Sequence, residues 1–386
     1  MTQKHYDVAC VPCADYTQDA CRAALCQALE ALDVLAWLRP GMTVGIKANL
    51  VAAHAPDDAV TTHPRLLAAL CQLLRERGAQ VILGDSPGGL YNEAALRRIY
   101  RATGLLDLEG PGVRLNWNFA QKTAHFKDAQ EAKTFQYTAW LDDCDAIINF
   151  CKLKSHGMMA LSAGVKNLFG VIPGTRKPEY HFQYPEPARF AQMLVDLNLY
   201  FKPRLTLCDA VVAMEGNGPT QGTPRPIGCL LAAADPNALD LVCAHLMGLT
   251  PAQVPTLQAA CQRGLIPSSL QDLTFFGNPD AFQQKDFQVA PIPASLLFRD
   301  TLRGRWGNAF GTVAARCLTA KPKLHTGRCT GCGQCARICP ARAITLRSGK
   351  PVINRSACIR CFCCQEFCPQ GAMRIARPLP ARILNP

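Results

Sequence analysis

The cysteines near the C-terminal end are the residues whose type and spacing most clearly indicate chemistry. Of the 21 cysteines in this chain of 386 residues, eight form two copies of the pattern C-x-x-C-x-x-C-x-x-x-C-P. Matching positions of the two copies lie 29 residues apart, which indicates an internal repeat of one structural unit. The repeated positions are Cys329, Cys332, Cys335 and Cys339, then Cys358, Cys361, Cys364 and Cys368.

This spacing suits iron better than zinc. Three thiolates on one loop can bind three irons of a cubane, and the fourth iron then needs a thiolate from elsewhere. Zinc sites instead pair two C-x-x-C knuckles across a longer gap, so zinc is the weaker alternative. Cys363, which falls outside the repeat, is expected to be a small apolar packing residue and not a ligand.

The repeat resembles the two-cluster bacterial ferredoxins, in which the cysteine before proline serves the other cluster. The resemblance implies two [4Fe–4S] clusters, whose ligands we list by cluster. The first cluster would use Cys329, Cys332, Cys335 and Cys368, and the second Cys358, Cys361, Cys364 and Cys339.

Composition narrows the class of protein. With 49% hydrophobic and 18% charged residues, the chain is neither disordered nor a coiled coil. No apolar run is long enough to span a membrane, and the first residues show no secretory signal. A disulfide scaffold would be short and secreted, so the thiols indicate a reducing, oxygen-poor cytoplasm.

The pattern ahead of the cysteines predicts strands that alternate with helices, hence a large, mainly parallel α/β domain at residues 1–290. Residues 291–322 form a basic linker, predicted to be helical from about 297 to 318. A small α+β ferredoxin-type domain follows at 323–378, with one motif at about 323–349 and the other at about 350–378.

The net charge of +12 belongs to the C-terminal quarter, since residues 324–386 alone carry nine Arg and one Lys against one Glu. Two bound clusters would neutralise part of this excess, and the rest could dock an acidic redox partner protein. Nucleic acid ranks lower as a partner, because no stacking pattern or helix-turn-helix accompanies the charge.

Polar residues cluster after four predicted strands of the α/β domain, where ligands of open α/β sheets bind. Taken alone, each of these polar segments could be only a turn, or a lysine whose side chain extends to solvent. Together they predict one crevice for a small anionic substrate. Its expected binding residues are Lys47, Asn49, Asp85, Ser86, Lys152, Asn167, Glu215 and Asn217.

One stretch of 15 residues, 152–166, contains three lysines and one histidine. Such a concentrated cationic site suits a carboxylate, a phosphate or a developing oxyanion. Lys154 and Lys166 are therefore candidate catalytic residues, with His156 as a candidate proton donor. Phosphate-loop and dinucleotide fingerprints are missing from the sequence, although a flavin or another organic cofactor stays open.

Several of these segments together resemble the iron–sulfur-centre proteins of the "domain of unknown function 362" family. The resemblance spans most of residues 1–250 and implies the architecture without a reaction. It rests on Ile46–Leu50, Gly84–Gly88, Lys152–His156, Gly164–Gly170 and Glu215–Pro219, with Ala48 standing where the family pattern has proline.

Two classes of function follow from the fusion of a ferredoxin module to a polar crevice. The first is an oxidoreductase that passes electrons to a small anionic substrate. The alternative is a non-enzymatic electron carrier, or a maturation or docking factor. Cys151, which adjoins Lys152, is a further residue of interest, because nearby positive charge could lower the pKa of its thiol.

The cluster assignment predicts the metal content of the protein. After anaerobic reconstitution, iron and sulfide analysis should give about eight irons per chain, because each cubane holds four. Replacing Cys332 should remove one cluster and destabilise the small domain, whose core depends on its metal. Four irons in the unmodified protein, or zinc in their place, would contradict the assignment.

Overall fold

The computed structural model describes residues 5–290 and 320–376. Most of the predicted linker at 291–322, including its helix at about 297–318, lies outside the described residues. The predicted end of the ferredoxin-type domain at 378 also falls outside them.

The large domain is built on one nine-stranded sheet and a separate two-stranded hairpin. The eleven strands are β1 (Val8–Pro12), β2 (Thr43–Lys47), β3 (Gln80–Gly84), β4 (Val113–Leu115), β5 (Gln121–His125), β6 (Thr134–Thr138), β7 (Ala146–His156), β8 (Ala160–Ser162), β9 (Leu205–Glu215), β10 (Thr223–Ala233) and β11 (Phe275–Phe276). The sheet runs β11-β1-β10-β9-β7-β2-β3-β4, with β8 paired to β7, while β5 and β6 form the hairpin.

Helices cover both faces of the sheet. The large domain contains α1 (Gln18–Leu32), α2 (Pro64–Glu76), α3 (Glu93–Ala102), α4 (Gly164–Asn167), α5 (Lys177–Gln183), α6 (Pro187–Phe201), α7 (Pro236–Leu246) and α8 (Pro255–Gln262). Alternate residues of β1 show the two faces: Ala9 packs in the core with α1 to α3, whereas Val8 packs in the core with α7 and α8.

The pairings confirm the predicted fold class. Strands β2, β3, β4, β7 and β9 run parallel, and antiparallel pairing involves β10 and β8. Parallel register places Lys47 opposite both Gly84 and Asn149, so the carboxyl ends of β2, β3 and β7 meet at one edge. None of the helices within the described ranges has both the length and the apolar character that a bilayer crossing requires.

Strand β7 is longer than the sequence predicted. The apolar run of the sequence predicts a strand over residues 146–150, but β7 continues through the lysines to His156. The extension is held by β9 on one side and by the β8 hairpin on the other, where Lys154 pairs with Ser162. The lysines therefore lie within a buried strand and not on a loop after it.

The small domain folds as two short antiparallel strand pairs with two short helices. Its strands are β12 (Lys321–Leu324), β13 (Ile344–Arg347), β14 (Lys350–Ile353) and β15 (Met373–Ala376), and its helices are α9 (Gln334–Arg337) and α10 (Cys363–Glu366). Strand β12 pairs with β15 and β13 pairs with β14, which brings the two ends of the domain together.

A buried carboxylate positions the helix that carries two predicted site residues. Asp240 of α7 accepts hydrogen bonds from the backbone N–H groups of Gly164, at 2.6 Å, and Val165, at 3.1 Å. Burial raises the pKa of Asp240, although these two hydrogen bonds oppose the rise. Asp240 thus fixes the start of α4, on which Lys166 and Asn167 lie.

Replacing this carboxylate should destabilise the large domain. We expect Asp240→Ala to lower the free energy of unfolding by about 2–4 kcal/mol, because two buried N–H groups lose their acceptor. Asp240→Asn keeps one acceptor oxygen and should lose less. Urea unfolding measures both, with the exposed Asp107→Ala as control. Equal stability of Asp240→Ala and the control would contradict the role given to Asp240.

Candidate functional site

The eight repeated cysteines line two separate cavities in the small domain. Each cavity gathers three cysteines of one repeat and the last cysteine of the other. The first is lined by Cys329, Cys332, Cys335 and Cys368, and the second by Cys339, Cys358, Cys361 and Cys364. These are the two sets that the ferredoxin resemblance implied, so the placement fits two four-iron clusters.

Two cysteine sulfurs accept equivalent hydrogen bonds. The Ala343 N–H donates to Cys339 Sγ, and the Ala372 N–H donates to Cys368 Sγ, both at 3.2 Å. Backbone N–H donors of this kind stabilise thiolate charge and tune cluster potentials. Cys363 is fully buried and lines the second cavity beside the four cysteines.

A single metal ion has a different geometric requirement. Among residues 5–290 and 320–376, no three His, Cys, Asp or Glu side chains converge closely enough to hold one ion. The thiolates of a cubane each bind a different iron and so do not need to converge in this way.

A cationic cavity of about 70 Å³ lies where the carboxyl ends of the strands meet the small domain. Six of the predicted site residues line it, and so do two residues from the small domain, Glu366 and Phe367. The six are Asn49, Asp85, Lys154, His156, Lys166 and Asn167. The cavity is therefore a joint site of the two domains.

A chain of amide hydrogen bonds connects α4 to Lys154. Asn167 Nδ2 donates to Asn149 Oδ1 at 2.8 Å, and Asn167 Oδ1 accepts from Asn49 Nδ2 at 2.9 Å. Asn49 Oδ1 in turn accepts from Lys154 Nζ at 2.7 Å, and Lys154 also donates to the Val60 carbonyl at 2.7 Å. The amides therefore orient the Lys154 ammonium through its acceptors.

Lys47 lies behind this cavity wall and is fully paired. Its Nζ contacts Asp85 Oδ1 at 2.8 Å and the Ala48 carbonyl at 2.6 Å. The other oxygen of Asp85 accepts from the Leu50 N–H at 2.9 Å. Ser86 also lies behind the cavity wall, where its hydroxyl accepts a hydrogen bond from the Gly174 N–H at 2.8 Å. Lys47 and Ser86 thus shape the site without lining it.

Lys166 differs from the other lysines. Its ammonium lies 4.9 Å from the centre of the Phe169 ring, and within the described ranges it has no hydrogen-bonded or ion-pair partner in the protein. His181 also lines the cavity, stacked on Phe190, and its buried Nδ1 finds no partner in those ranges. Unpaired buried polar groups are costly unless a ligand satisfies them.

Burial lowers the pKa of several cations at this site. Burial, reinforced by the charges of Lys166 and Lys152, lowers the pKa of Lys154 to about 7. Lys177, which donates to the Ser86 carbonyl, also has its pKa lowered to about 7, mainly by burial. Burial lowers the pKa of Lys166 as well. The Lys154 and Lys177 ammonium groups can therefore exchange protons near neutral pH.

Glu366 is the carboxylate that the small domain contributes to the cavity. Its Oε1 lies 3.0 Å from His156 Nε2. Burial raises the pKa of Glu366, but the close contact with His156 and the charge of Lys166 outweigh burial and lower it to about 2. Glu366 is thus ionised, and its charge offsets part of the positive charge around it.

The proton of His156 is fixed by its other ring nitrogen. His156 Nδ1 accepts the backbone N–H groups of Met158, at 3.1 Å, and Met159, at 3.2 Å. The ring proton must then lie on Nε2, which is 3.0 Å from Glu366 Oε1 without being aligned for a hydrogen bond to it. Burial lowers the pKa of His156, so the ring is neutral at pH 7.

Lys152 belongs to a different network on the same strand. Its Nζ lies 2.9 Å from Asp209 Oδ2 and 2.8 Å from the Tyr16 hydroxyl. Tyr16 also donates to Asp209 Oδ1 at 2.9 Å and stacks on the ring of His63. Lys152 therefore lies outside the cavity lining, in a closed network that ties the loop before α1 to β9.

Two other predicted residues also lie away from the cavity lining. Glu215 Oε2 accepts the Gln288 N–H at 3.1 Å. Asn217 holds the small domain, since its Oδ1 accepts the Ile375 N–H at 3.2 Å and its carbonyl accepts from Gln365 Nε2 at 2.9 Å. The loop after β9 thus docks the small domain against the large one.

Further contacts close this junction. Gln221 Nε2 donates to the Gln365 carbonyl at 2.6 Å, and Thr220 donates to the Glu366 carbonyl at 3.3 Å. A side chain at Gly88 would collide with the ring of Phe367. The backbone around α10 is therefore held by the large domain, which fixes Glu366 in the cavity.

Sequence reasoning missed Lys177, His181 and Glu366. A usable signal existed for the first two, because they lie four residues apart on α5 and so share a helix face. Glu366 was visible as the one acidic residue in 324–386, between the ligand candidates Cys364 and Cys368. Its contact with the large domain had no sequence signal.

The chain has a relative of known name that is similar over most of its length. A thylakoid-associated protein of Synechocystis sp. is 34% identical over 267 residues, which cover 67% of this chain and 80% of that protein.

Solved structures show weaker likenesses. A Thermotoga maritima protein matches with 15% identity and a TM-score of 0.36, over 54% of this chain and 53% of its own. The lactate racemase apoprotein of Thermoanaerobacterium thermosaccharolyticum matches with 10% identity and a TM-score of 0.40, over 64% and 58%. Both matches cover less than two thirds of the known chain and carry no functional argument.

Two family profiles match this chain in series. A 4Fe–4S dicluster domain matches residues 321–369, the region of the two cysteine cavities, and supports iron–sulfur binding there. The domain of unknown function 362 matches residues 44–245, which include the strand ends that form the cationic cavity. The chain therefore belongs to the domain of unknown function 362 family and carries a C-terminal ferredoxin-type domain, as the sequence motifs predicted.

Proposed function

We propose that the chain is an oxidoreductase that holds two [4Fe–4S] clusters and reduces a small anionic electron acceptor in the cationic cavity. The position of Glu366 is the observation that carries the proposal. Helix α10 presents Cys364 to the second cysteine cavity and Glu366 to the cationic cavity. The two residues are two positions apart, so their Cα atoms lie within about 7 Å.

Each cavity residue has a role that its surroundings support. Lys166, with no protein partner in the described ranges, would bind the anionic group of the acceptor. Lys154 and Lys177, with pKa values near 7, would supply protons as the acceptor takes up electrons. Bound clusters would supply those electrons one at a time, and a separate reduced protein would replenish them.

His156 takes a role in this proposal that differs from the proton donor expected at first. A neutral ring whose Nδ1 already accepts two backbone N–H groups has only its Nε2 proton, on the nitrogen that lies 3.0 Å from Glu366 Oε1. We therefore assign His156 to holding Glu366 in place, and the proton donation to the lysines.

The size and charge of the cavity limit the acceptor. About 70 Å³ leaves room for a compact molecule of a few heavy atoms. Three lysines around it favour a carboxylate or phosphate group. We place this chemistry in a reducing, oxygen-poor cytoplasm, in keeping with the thiolate ligands that the clusters need.

The unpaired lysine gives a direct test, which uses oxalate as the probe anion. We expect Lys166→Met to weaken oxalate binding at least about tenfold, since one charge-assisted contact is lost. Stability should hold or rise, because methionine fills the space and leaves no protein group without a partner. Calorimetry on the anaerobically loaded protein measures binding, and thermal unfolding measures stability.

The exposed Lys133→Met serves as the matched control, and both variants should retain full iron content. Electron transfer is tested on dithionite-reduced protein mixed with small keto acids, by following reoxidation of the visible absorbance. If wild-type protein binds no small anion and no acceptor reoxidises it, the enzyme proposal fails and the carrier role takes its place.

The lysine pKa values predict how oxalate binding depends on pH. Lys154 and Lys177 are protonated below about pH 7 and neutral above it, so the anion should bind most tightly at low pH. Above pH 7 the affinity should fall by about tenfold per pH unit if one protonated lysine is required. The neutral histidines add no step in this range. A flat affinity between pH 6 and about 8.5 in calorimetry would contradict the assignment.

A further inference from the structure

The surface of the ferredoxin-type domain carries charge of one sign. Residues 320–376 contain ten Lys and Arg and one carboxylate, Glu366, which is turned into the cationic cavity. The solvent-facing charges of these residues are therefore all positive. They belong to Lys321, Lys323, Arg328, Arg337, Arg342, Arg347, Lys350, Arg355, Arg360 and Arg374.

One part of this surface combines charge with an apolar group and access to a cysteine. Cys332 is exposed, and Leu346, which lines the same cavity, is 44% exposed. Exposed Arg328, Arg337 and Lys350 lie beside this cavity, where Lys350 Nζ donates to the Cys329 carbonyl at 2.6 Å and Arg328 approaches Gly371. Arg337 and Leu346 both approach Gly333, which follows Cys332. We call these five residues the Leu346 face.

The second cysteine cavity offers less access. Cys361 and Cys364 are buried, and α10, which carries Cys364, is held against the large domain through Gln365. Of the two cavities, the first is thus the one with an exposed cysteine, Cys332. Close approach matters because electron transfer needs a short path between the two redox groups.

We propose that an acidic one-electron carrier protein docks on the Leu346 face. This inference rests on the proposed function, which requires an external source of electrons. Basic side chains around an apolar centre suit such a partner: the charges steer encounter and set orientation, and the apolar contact excludes water. Transient redox complexes are small and depend on salt, as this arrangement predicts.

Nucleic acid is the other class of partner that a basic surface could suit. Single-strand binding uses aromatic side chains on which bases stack. The two aromatic residues of 320–376, Phe362 and Phe367, both face the large domain: Phe362 is buried and Phe367 packs on Gly88. The Leu346 face thus has charge without a stacking platform, which favours the acidic protein.

The test uses the full-length, cluster-loaded protein and a purified flavodoxin as the acidic probe. Calorimetry at about 20 to 200 mM NaCl gives the dissociation constant and its salt dependence. We expect Arg328→Gln/Arg337→Gln/Lys350→Gln to weaken binding at low salt by about tenfold and to flatten the salt dependence. Leu346→Ser should weaken binding but keep the salt dependence.

The matched control makes the same charge change elsewhere on the domain, at Lys323→Gln/Arg360→Gln/Arg374→Gln. Lys323 and Arg374 pair across β12 and β15, on the side opposite Leu324 and Met373, which line the first cavity. This control should bind flavodoxin more tightly than the face variant. Iron content confirms cluster loading in every variant.

Three results would overturn the proposal. They are no flavodoxin binding by wild-type protein at low salt, equal losses in the face and control variants, and tighter binding of single-stranded DNA than of flavodoxin. Reoxidation of dithionite-reduced protein by a small acceptor should stay unchanged in the face variant. The docking face and the cationic cavity can therefore fail independently.

Discussion

The contact of the Glu366 carboxylate with His156, beside the lysines of the α/β domain, is the interaction on which the rest of the site depends. Burying an ammonium group away from water is costly, and several of them together repel one another. One carboxylate from the strand ends, Asp85, already pairs with Lys47. Glu366 supplies a second negative charge beside His156 and Lys166, and it comes from the other domain. The two domains are thus coupled electrostatically as well as by packing.

The lysines divide into two groups by what surrounds them. Lys47 and Lys152 each contact a buried carboxylate at 2.8 and 2.9 Å, and their networks are complete. Lys154, Lys166 and Lys177 line the cavity and have no carboxylate within ion-pair distance among the described residues. Cations held at such a site without counter-ions are expensive to keep, so their retention supports the proposed anionic ligand. In that proposal the same residue type serves structure in one place and binding in the other.

Local sequence patterns were enough to predict the ferredoxin-type domain from its cysteine repeat, the alternation of strands and helices, and the gathering of polar residues at strand ends. Each depends on neighbours in the chain or on a general property of parallel sheets. The pairing of Lys152 with Asp209 and Tyr16 could not be predicted, because it depends on the register between β7 and β9. Nor could the contact of Glu366 with His156, which joins residues 210 positions apart across two domains. Lys177 and His181 could have been predicted from the sequence, because residues four positions apart lie on one face of a helix.

Through Glu366 of α10 and the next residue, Phe367, the ferredoxin-type domain also forms one side of the cationic cavity. Small metal-dependent domains fold only when their metal is present. If that holds here, a chain made without iron lacks Glu366 and Phe367 at the cavity, and the cations there face open solvent. The cavity would then be assembled only in molecules that are already equipped to use it. Iron supply would set the number of complete sites in the cell, so that an unloaded molecule neither captures an acceptor nor competes for it.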